Sequence, residues 1–267
     1  MLGAIERMGE RVLGLIAHVG GVLNLGLDAT GWIWRWMTRR RVRLGRAALM
    51  TQIVRVGVRS IFIVSLVSGC IGLILALQLS PPLDNFGQRD LVANIVAVAV
   101  LRELGPLIGA VVLTGFAGAA IAAEIGTMVV SEEIEALEAH ALNPVRFLVL
   151  PRVIAATVSM AALGVLADLV AIVASALMSV LVLDVPYATY VQNTLDQVKP
   201  IDFLTGVVKA TVFGGLIGLI SCYNGLKVTG GAMGVGRATT QTVVQCVVAI
   251  VIADLVFTAV FYAFKLF

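Results

Sequence analysis

The chain has 267 residues, of which 60% are hydrophobic and 13% are charged, and its formal net charge is +3. Soluble domains carry about 25% charged residues and roughly 45–50% apolar ones. The composition therefore excludes an ordinary soluble enzyme or binding module and indicates a polytopic membrane protein, and the membrane context also argues against nucleic acid as a partner.

The first 60 residues are predicted to form an N-terminal interfacial or elbow region. Charged residues that would interrupt a signal peptide's apolar core indicate that this segment belongs to the mature protein. They are Glu6, Arg7, Glu10 and Arg11. Apolar residues recur at helical spacing on the opposite face, which is typical of a helix lying in the membrane surface. They are Ile5, Met8, Val12, Leu15, Ile16 and Val19. The tryptophans of "GWIWRWMTRRR", Trp32, Trp34 and Trp36, predict an anchor at the membrane interface.

Five apolar runs follow, each long enough to cross a bilayer core about 30 Å thick. They lie near residues 61–79, 91–123, 153–183, 203–222 and 242–264. The second and third runs exceed one bilayer thickness, so we expect them to tilt, kink or project beyond the lipid. Residues 61–267 are therefore predicted to be one integral, all-α membrane domain with five spans.

The orientation follows from the basic residues that precede the first span, because positive charge favours the cytoplasmic side. Eight arginines lie there: Arg35, Arg39, Arg40, Arg41, Arg43, Arg46, Arg55 and Arg59. This bias predicts a cytoplasmic N-terminus, outward-facing loops near 80–90 and 184–202, and a cytoplasmic loop over about 124–152.

An acidic stretch, "SEEIEALEAHALNP" (residues 131–144), falls in that cytoplasmic loop. Ser131 is a candidate N-cap, and Ile134, Leu137 and Ala141 form a narrow apolar stripe beside glutamates. The pattern predicts a short amphipathic helix. It fits either a solvated connector or a helix that passes motion from a cytoplasmic motor to the membrane part.

Charged residues inside the apolar runs are candidate functional residues, because charges in a membrane usually face a bundle interior, a partner charge or a water-filled cavity. They are Arg102, Glu103, Asp168, Lys209 and Asp254. Counting ~1.5 Å per residue from the outer ends of the runs puts Arg102 and Glu103 about 15–20 Å deep and Lys209 about 9 Å deep. We expect Arg102, Glu103 and Lys209 to form a polar cluster, in which Glu103 and Lys209 are able to pair. The pair fits either a structural ion pair or a lipid head-group site.

No catalytic, metal or cofactor site is predicted for this chain. It has no G-x-x-x-x-G-K-[ST] phosphate loop, since "GGAMGVGR" lacks the lysine and the hydroxyl. Cys70, Cys222 and Cys246 have no zinc or disulfide spacing, and the two histidines, His18 and His140, are isolated.

Three segments make the sequence resemble a known family. "LRELGPLIGAVVLTGFAGAAIAAEIGTMVVSEEIEAL", "NPVRFLVLPRVIA" and "NGLKVTGGAMGVGRATTQTVV" occur in this order and resemble the MlaE/YrbE permeases. These are the membrane subunits of bacterial and plastid ABC lipid transporters that work with MCE-domain proteins. The resemblance covers roughly residues 50–265 and makes 61–267 a permease domain.

The resemblance implies several partners and roles. It implies a second copy of the chain, a cytoplasmic ABC ATPase that binds ATP and Mg, an MCE-domain protein on the outer face, and phospholipid as the transported molecule, in a bacterial inner membrane. It also implies a coupling helix within about 125–143, where we expect Glu132, Glu133, Ile134, Leu137 and Glu138 to meet the ATPase. The lipid path is assigned to Arg102, Glu103 and Lys209.

Two alternatives stay open on the residues alone. Glu103, Asp168 and Asp254 could form a proton or sodium relay in a secondary transporter, although no internal repeat is visible. The chain could also be a non-transporting scaffold, for which buried charges would be an unnecessary cost in stability.

Overall fold

The structure is a computed structural model that describes residues 2–38 and 45–265. Within these two ranges it contains helices and no strand, which confirms the all-α class. The helices are α1 (Leu2–Thr38), α2 (Arg46–Asn85), α3 (Val92–Val130), α4 (Glu133–Ala139), α5 (Val145–Leu181), α6 (Tyr187–Gln197), α7 (Pro200–Leu226) and α8 (Gly231–Ala263).

Five of these helices, α2, α3, α5, α7 and α8, are long and apolar enough to cross a membrane. Each one contains one of the five predicted apolar runs to within a few residues, so the prediction of five spans is confirmed. The chain is a multi-pass membrane protein.

The two longest apolar runs lie in helices that depart from regular α geometry. Helix α3 has 39 residues and α5 has 37, whereas about 20 suffice to cross the bilayer. Helix α3 contains π-helical turns at Val100–Leu104 and Thr114–Gly118, and α5 begins with one at Val145–Val149. Two of these turns lie just before Pro106 and Pro151. A proline lacks the N–H that the α-helical ladder needs, and a π turn changes the pairing locally without ending the helix.

Small residues allow the spans to approach closely, as expected where lipid supplies no hydrophobic drive for helix association. A Cβ atom added at Gly72 would overlap the backbone of Ala171, and one added at Gly206 would overlap the carbonyl of Leu101. Gly214 lies in the same way against the carbonyl of Ala156. These contacts join α2 to α5, α3 to α7, and α5 to α7, and they surround a core that includes Phe213, Met160 and Ile125.

The alternation of the spans gives the bundle two distinct ends. The α4 end holds the start of α2, α5 and α8 and the end of α3 and α7, and the α6 end holds the opposite termini. Helix α1 packs at the α4 end. There Ala29 of α1 clusters with Leu150, and His18 lies edge-on to Tyr223 with ring centroids 5.0 Å apart.

Only part of the apolar face predicted for helix α1 lies among the described side chains. Ile16 and Val19 are exposed, which suits contact with lipid, and Trp32 lies beneath the guanidinium groups of Arg35 and Arg146 at 4.9 and 5.7 Å. The side chains of Ile5, Met8, Val12, Leu15 and Trp36, and the arginines at 39–41 and 43, lie outside the described residues. The membrane-surface position of α1 and the 1–60 boundary stay predictions.

Candidate functional site

The charged cluster between α3, α7 and α8 is formed by Glu103, Lys209, Asp254 and Thr258. Lys209 Nζ donates a hydrogen bond to Glu103 Oε2 at 2.6 Å and another to Thr258 Oγ1 at 2.9 Å. The Thr258 hydroxyl in turn donates to Glu103 Oε1 at 2.9 Å. Asp254 Oδ1 forms an ion pair with Lys209 Nζ at 2.9 Å. The structure thus brings Glu103 and Lys209 together.

Exposure differs sharply within the charged cluster. The Lys209 side chain is 1% exposed and that of Asp254 is 15% exposed, whereas the Glu103 side chain is 33% exposed. A buried ammonium group requires its charge and its hydrogen bonds to be satisfied, and the two carboxylates and one hydroxyl supply this. With both carboxylates ionised the cluster carries one excess negative charge, and Glu103 is its accessible member.

The depth predicted for Lys209 was too small, because α7 begins at Pro200 rather than near residue 203. Lys209 lies nine residues from the start of α7, and Asp254 lies nine residues from the end of α8. At ~1.5 Å per residue both are about 14 Å from the α6 end. Sequence reasoning assigned Asp254 no partner and did not single out Thr258. This equal depth, and the i, i+4 spacing of Asp254 and Thr258 on one helix face, were the signals that could have found them.

Arg102, which the sequence predicted to cluster with Glu103 and Lys209, forms an ion pair with Asp202 in the first turn of α7. Its Nε donates to Asp202 Oδ1 at 2.7 Å, and its Nη2 lies 2.6 Å from the same oxygen. Asp202 Oδ2 also accepts from the Lys199 backbone N–H at 2.9 Å, so that the carboxylate caps α7. Sequence reasoning missed Asp202 because it placed residues 184–202 in the outer loop. Its position in the first turn after Lys199-Pro200, where a carboxylate favours a helix start, was the available signal.

Asp168 is buried at 3% exposure between α5 and α3. Its Oδ1 is packed against Gly105, directly after the first π turn of α3, and no described residue forms a hydrogen bond with that oxygen. Asp168 therefore takes no part in the hydrogen bonds and ion pairs that join Glu103, Lys209 and Asp254.

At the α4 end, one carboxylate holds three spans together. Glu124 of α3 pairs with Arg55 of α2 and with Arg152 of α5, whose Nη2 lies 3.2 Å from Glu124 Oε2. Arg152 also donates from Nη1 to the Leu148 carbonyl at 2.9 Å. This network fixes the span ends next to α4, and no sequence pattern had singled it out.

Helix α4 is shorter than the predicted segment 125–143, because α3 continues to Val130. The prediction that Ser131 caps α4 is wrong. The N-cap position is Glu132, with φ 61°, and no side chain caps the helix. The Ser131 hydroxyl instead lies 3.0 Å from both the Thr127 carbonyl oxygen and Glu133 Oε1, and either oxygen can accept its single proton. Ile134 packs against the main core and Leu137 is half-buried, while Glu132, Glu133 and Glu138 are exposed.

The chemistry available in the described residues is that of charge binding. Among them, no group of three or more histidine, cysteine or acidic side chains could hold a metal ion. The clusters supply paired ammonium, guanidinium and carboxylate groups held by several helices, and such groups can recognise polar or charged ligands.

Comparison with known proteins agrees with this architecture. Residues 49–260 match the family described as Permease MlaE. A probable ABC transporter permease protein of Rickettsia felis (strain ATCC VR-1525 / URRWXCal2) is 37% identical over 262 residues, covering 98% of this chain and 99% of that protein. A probable ABC transporter permease protein of Synechocystis sp. (strain ATCC 27184 / PCC 6803 / Kazusa) is 32% identical, covering 79% and 81%.

A plant relative shows the same similarity over a smaller share of its length. The protein TRIGALACTOSYLDIACYLGLYCEROL 1, chloroplastic, of Arabidopsis thaliana is 34% identical over 213 residues, covering 80% of this chain and 61% of that protein. The match of one family profile to most of the chain, together with a full-length relative, decides the assignment: the chain belongs to the MlaE permease family of ABC transporter permease subunits.

Proposed function

We propose that this permease subunit moves phospholipid, or a related lipid, between the membrane and an MCE-protein conduit, and that a separate cytoplasmic ATPase drives the movement. The observation that carries the proposal is the charged cluster. Charges are costly inside a membrane, and here a lysine and two acids lie about 14 to 17 Å from the α6 end of the bundle, with Glu103 one-third exposed.

The composition of the charged cluster suits a polar head group attached to apolar chains. Glu103, whose side chain is one-third exposed, offers a carboxylate to a head-group amine, and the buried Lys209 holds that carboxylate in place. The Arabidopsis relative is named after trigalactosyldiacylglycerol, a galactolipid, and this name supports a lipid as the transported class.

The α4 end is the proposed ATPase side. Its exposed Glu132, Glu133 and Glu138 surround the half-buried Leu137, and an apolar anchor ringed by charges is a common form of docking surface. The Glu124 network would transmit force from α4 to α2, α3 and α5. The ATPase, rather than this chain, would bind ATP and Mg.

A second copy of the chain would complete the transporter. The exposure of helix α8 supports this. Only 11% of its most apolar 18-residue stretch is buried, whereas 50% of the most apolar 18-residue stretch of α7 is buried. Its exposed face includes Val248, Leu255 and Val256. The N-terminus would be cytoplasmic, in a bacterial inner membrane, and the MCE protein would bind at the α6 end.

The test is ATP hydrolysis by the permease purified with an ABC ATPase from the same genome. We expect hydrolysis to rise when the complex moves from detergent into phospholipid nanodiscs, and the ATPase alone to show no such rise. Hydrolysis that never responds to this chain or to lipid, together with proton-dependent uptake in vesicles, would favour the secondary-transporter alternative and overturn the proposal.

A further inference from the structure

A second feature, an apolar groove, lies between the last third of α5 and helix α6. A groove of about 670 Å³ is formed there by fourteen residues. On α5 its wall includes Leu169, Val173, Leu177 and Leu181, which repeat every four residues along one face and are 57% to 69% exposed. We call this feature the α5–α6 groove.

Helix α6 forms a fixed wall of the α5–α6 groove. Tyr190 is 2% exposed, and its hydroxyl donates to Ser175 Oγ on α5 at 3.2 Å. Three residues along α6, Asn193 Nδ2 donates to the Asp90 carbonyl before α3 at 3.0 Å. Because both contacts hold α6 in place, the groove is preformed, as small-molecule sites usually are.

One polar atom of the groove has no partner. Thr194 Oγ1 is buried and, among the described residues, forms no hydrogen bond. Threonines in the spans behave differently: Thr157 and Thr211 donate to the carbonyl one turn earlier at 2.8 and 2.7 Å. A buried hydroxyl left without a partner costs free energy, so a ligand with a hydrogen-bond acceptor would satisfy it.

The dimensions of the groove fit a lipid chain better than a protein. From Leu169 to Leu181 the wall is about 18 Å long at ~1.5 Å per residue, close to the roughly 15 Å of one leaflet's hydrocarbon. Stable protein interfaces use about 20–30 residues a side, whereas fourteen residues line this groove.

We propose that the α5–α6 groove binds one acyl chain of a membrane phospholipid, with the Thr194 hydroxyl donating to an ester carbonyl of that lipid. The site is distinct from the charged cluster, since it is built from α5 and α6 rather than from α3, α7 and α8. It does not depend on the proposed transport function.

The test uses the full chain in nanodiscs of phosphatidylcholine that contain a small fraction of a phosphatidylcholine with a photoreactive diazirine in one acyl chain. After illumination, mass spectrometry locates the adducts. We expect adducts on α5 and α6 to exceed those on the exposed face of α2 around Leu66, which is 52% exposed.

Two variants and a control distinguish a site from ordinary boundary lipid. Val173→Trp fills the groove and should abolish the excess labelling, and Thr194→Val should lower it about fivefold, the effect of one net hydrogen bond. The control, Leu66→Trp, places the same side chain at a residue of α2 that is 52% exposed, and it should change nothing.

Three results would overturn the proposal. Labelling of α5 and α6 no higher than that of the exposed face of α2 would show boundary lipid only. Labelling insensitive to Val173→Trp, in protein that still elutes as a single species, would also refute it. A crosslink from position 177 to a second copy or to a partner helix would show that protein covers the groove.

Discussion

Lys209 is the residue on which the charged cluster depends, because it contacts Glu103, Asp254 and Thr258. Sequence reasoning could predict the Glu103–Lys209 pair, since charges inside apolar runs must find partners. It missed Asp254 as a third member, because the equal depth of Lys209 and Asp254 is recognised only when α7 is counted from Pro200.

Replacing Lys209 by alanine should destabilise the protein. The change leaves two carboxylates facing each other inside the bundle, and breaking a buried ion pair costs about 3–5 kcal/mol. The partial exposure of Glu103 places the expected loss near the lower end of that range. Thermal unfolding in detergent, followed by circular dichroism or by the yield of monodisperse protein, measures this loss.

The double variant Lys209→Ala with Glu103→Gln tests function separately from stability. Removing one negative charge with the positive one should recover most of the lost protein, because Asp254 then faces no second carboxylate. We expect the recovered protein to transport lipid poorly. Transport at the wild-type rate would mean that the cluster is only a structural ion pair.

His18 makes the docking of α1 sensitive to pH. Burial, and then the nearby charge of Lys227, lower the pKa of His18 from its ordinary value of 6.5. At pH values between that lowered pKa and 6.5, the His18 side chain is more protonated when α1 is undocked than when α1 is docked. The docked state is therefore fully stable above pH 6.5 and weakens as the pH falls below it.

The pH effect is measurable as a distance between spin labels. Cysteines at Gly14 and Thr229, both exposed, report on α1 and the α4 end, and Cys70 is the exposed native cysteine to be replaced. We expect the distance distribution to broaden below pH 6.5 in wild type and to stay unchanged in His18→Gln. A pH response that persists in His18→Gln would assign it to another group.

At the scale of elements, the span count could be read from the sequence because bilayer thickness sets the length of an apolar run. The first and last residues of α4 could not be read from the sequence in the same way. Ser131 has the ordinary chemistry of an N-cap, yet α3 extends to Val130 and Glu132 takes a left-handed conformation at the turn. Tertiary packing of Ile134 against the core decides how α4 sits, and a local pattern does not contain that contact.

Helix α4 should bind the ATPase mainly through Leu137 and its glutamates. Losing an interface anchor costs about 2 kcal/mol, so Leu137→Asp should weaken copurification more than tenfold with little effect on thermal unfolding. Ile134→Asp should instead destabilise the chain itself, because Ile134 packs inward. Unchanged ATPase binding by folded Leu137→Asp would place the docking surface elsewhere.

Close packing of α3 and α7 depends on Gly206. A methyl group there overlaps the Leu101 carbonyl, and a backbone atom cannot rotate away. We expect Gly206→Ala to lower the free energy of unfolding by about 1–3 kcal/mol, the usual cost of overpacking. The matched control on the same helix is Gly215→Ala, whose added Cβ would meet Thr157 Oγ1 at an ordinary 3.5 Å. Equal unfolding temperatures for the two variants would contradict the tight crossing.

At the scale of the whole molecule, the predicted orientation decides which partner each end meets. Gln192 on α6 and Ala232 on α8 are exposed at opposite ends of the bundle. A single cysteine introduced at either position therefore reports on one end. With Cys70 replaced, an impermeant thiol reagent added to spheroplasts should label position 192 and spare position 232. The reverse pattern would invert the molecule and separate α4 from ATP.

The most direct measurement of the central claim is lipid transfer by the reconstituted permease and ATPase. Proteoliposomes carrying a fluorescent phospholipid are mixed with an MCE-domain acceptor, and the loss of fluorescence from the vesicles is followed with and without ATP. The account predicts transfer that requires ATP, the wild-type charged cluster and an intact α4. Transfer that proceeds equally without ATP, or no transfer by a complex that hydrolyses ATP in response to lipid, would contradict it.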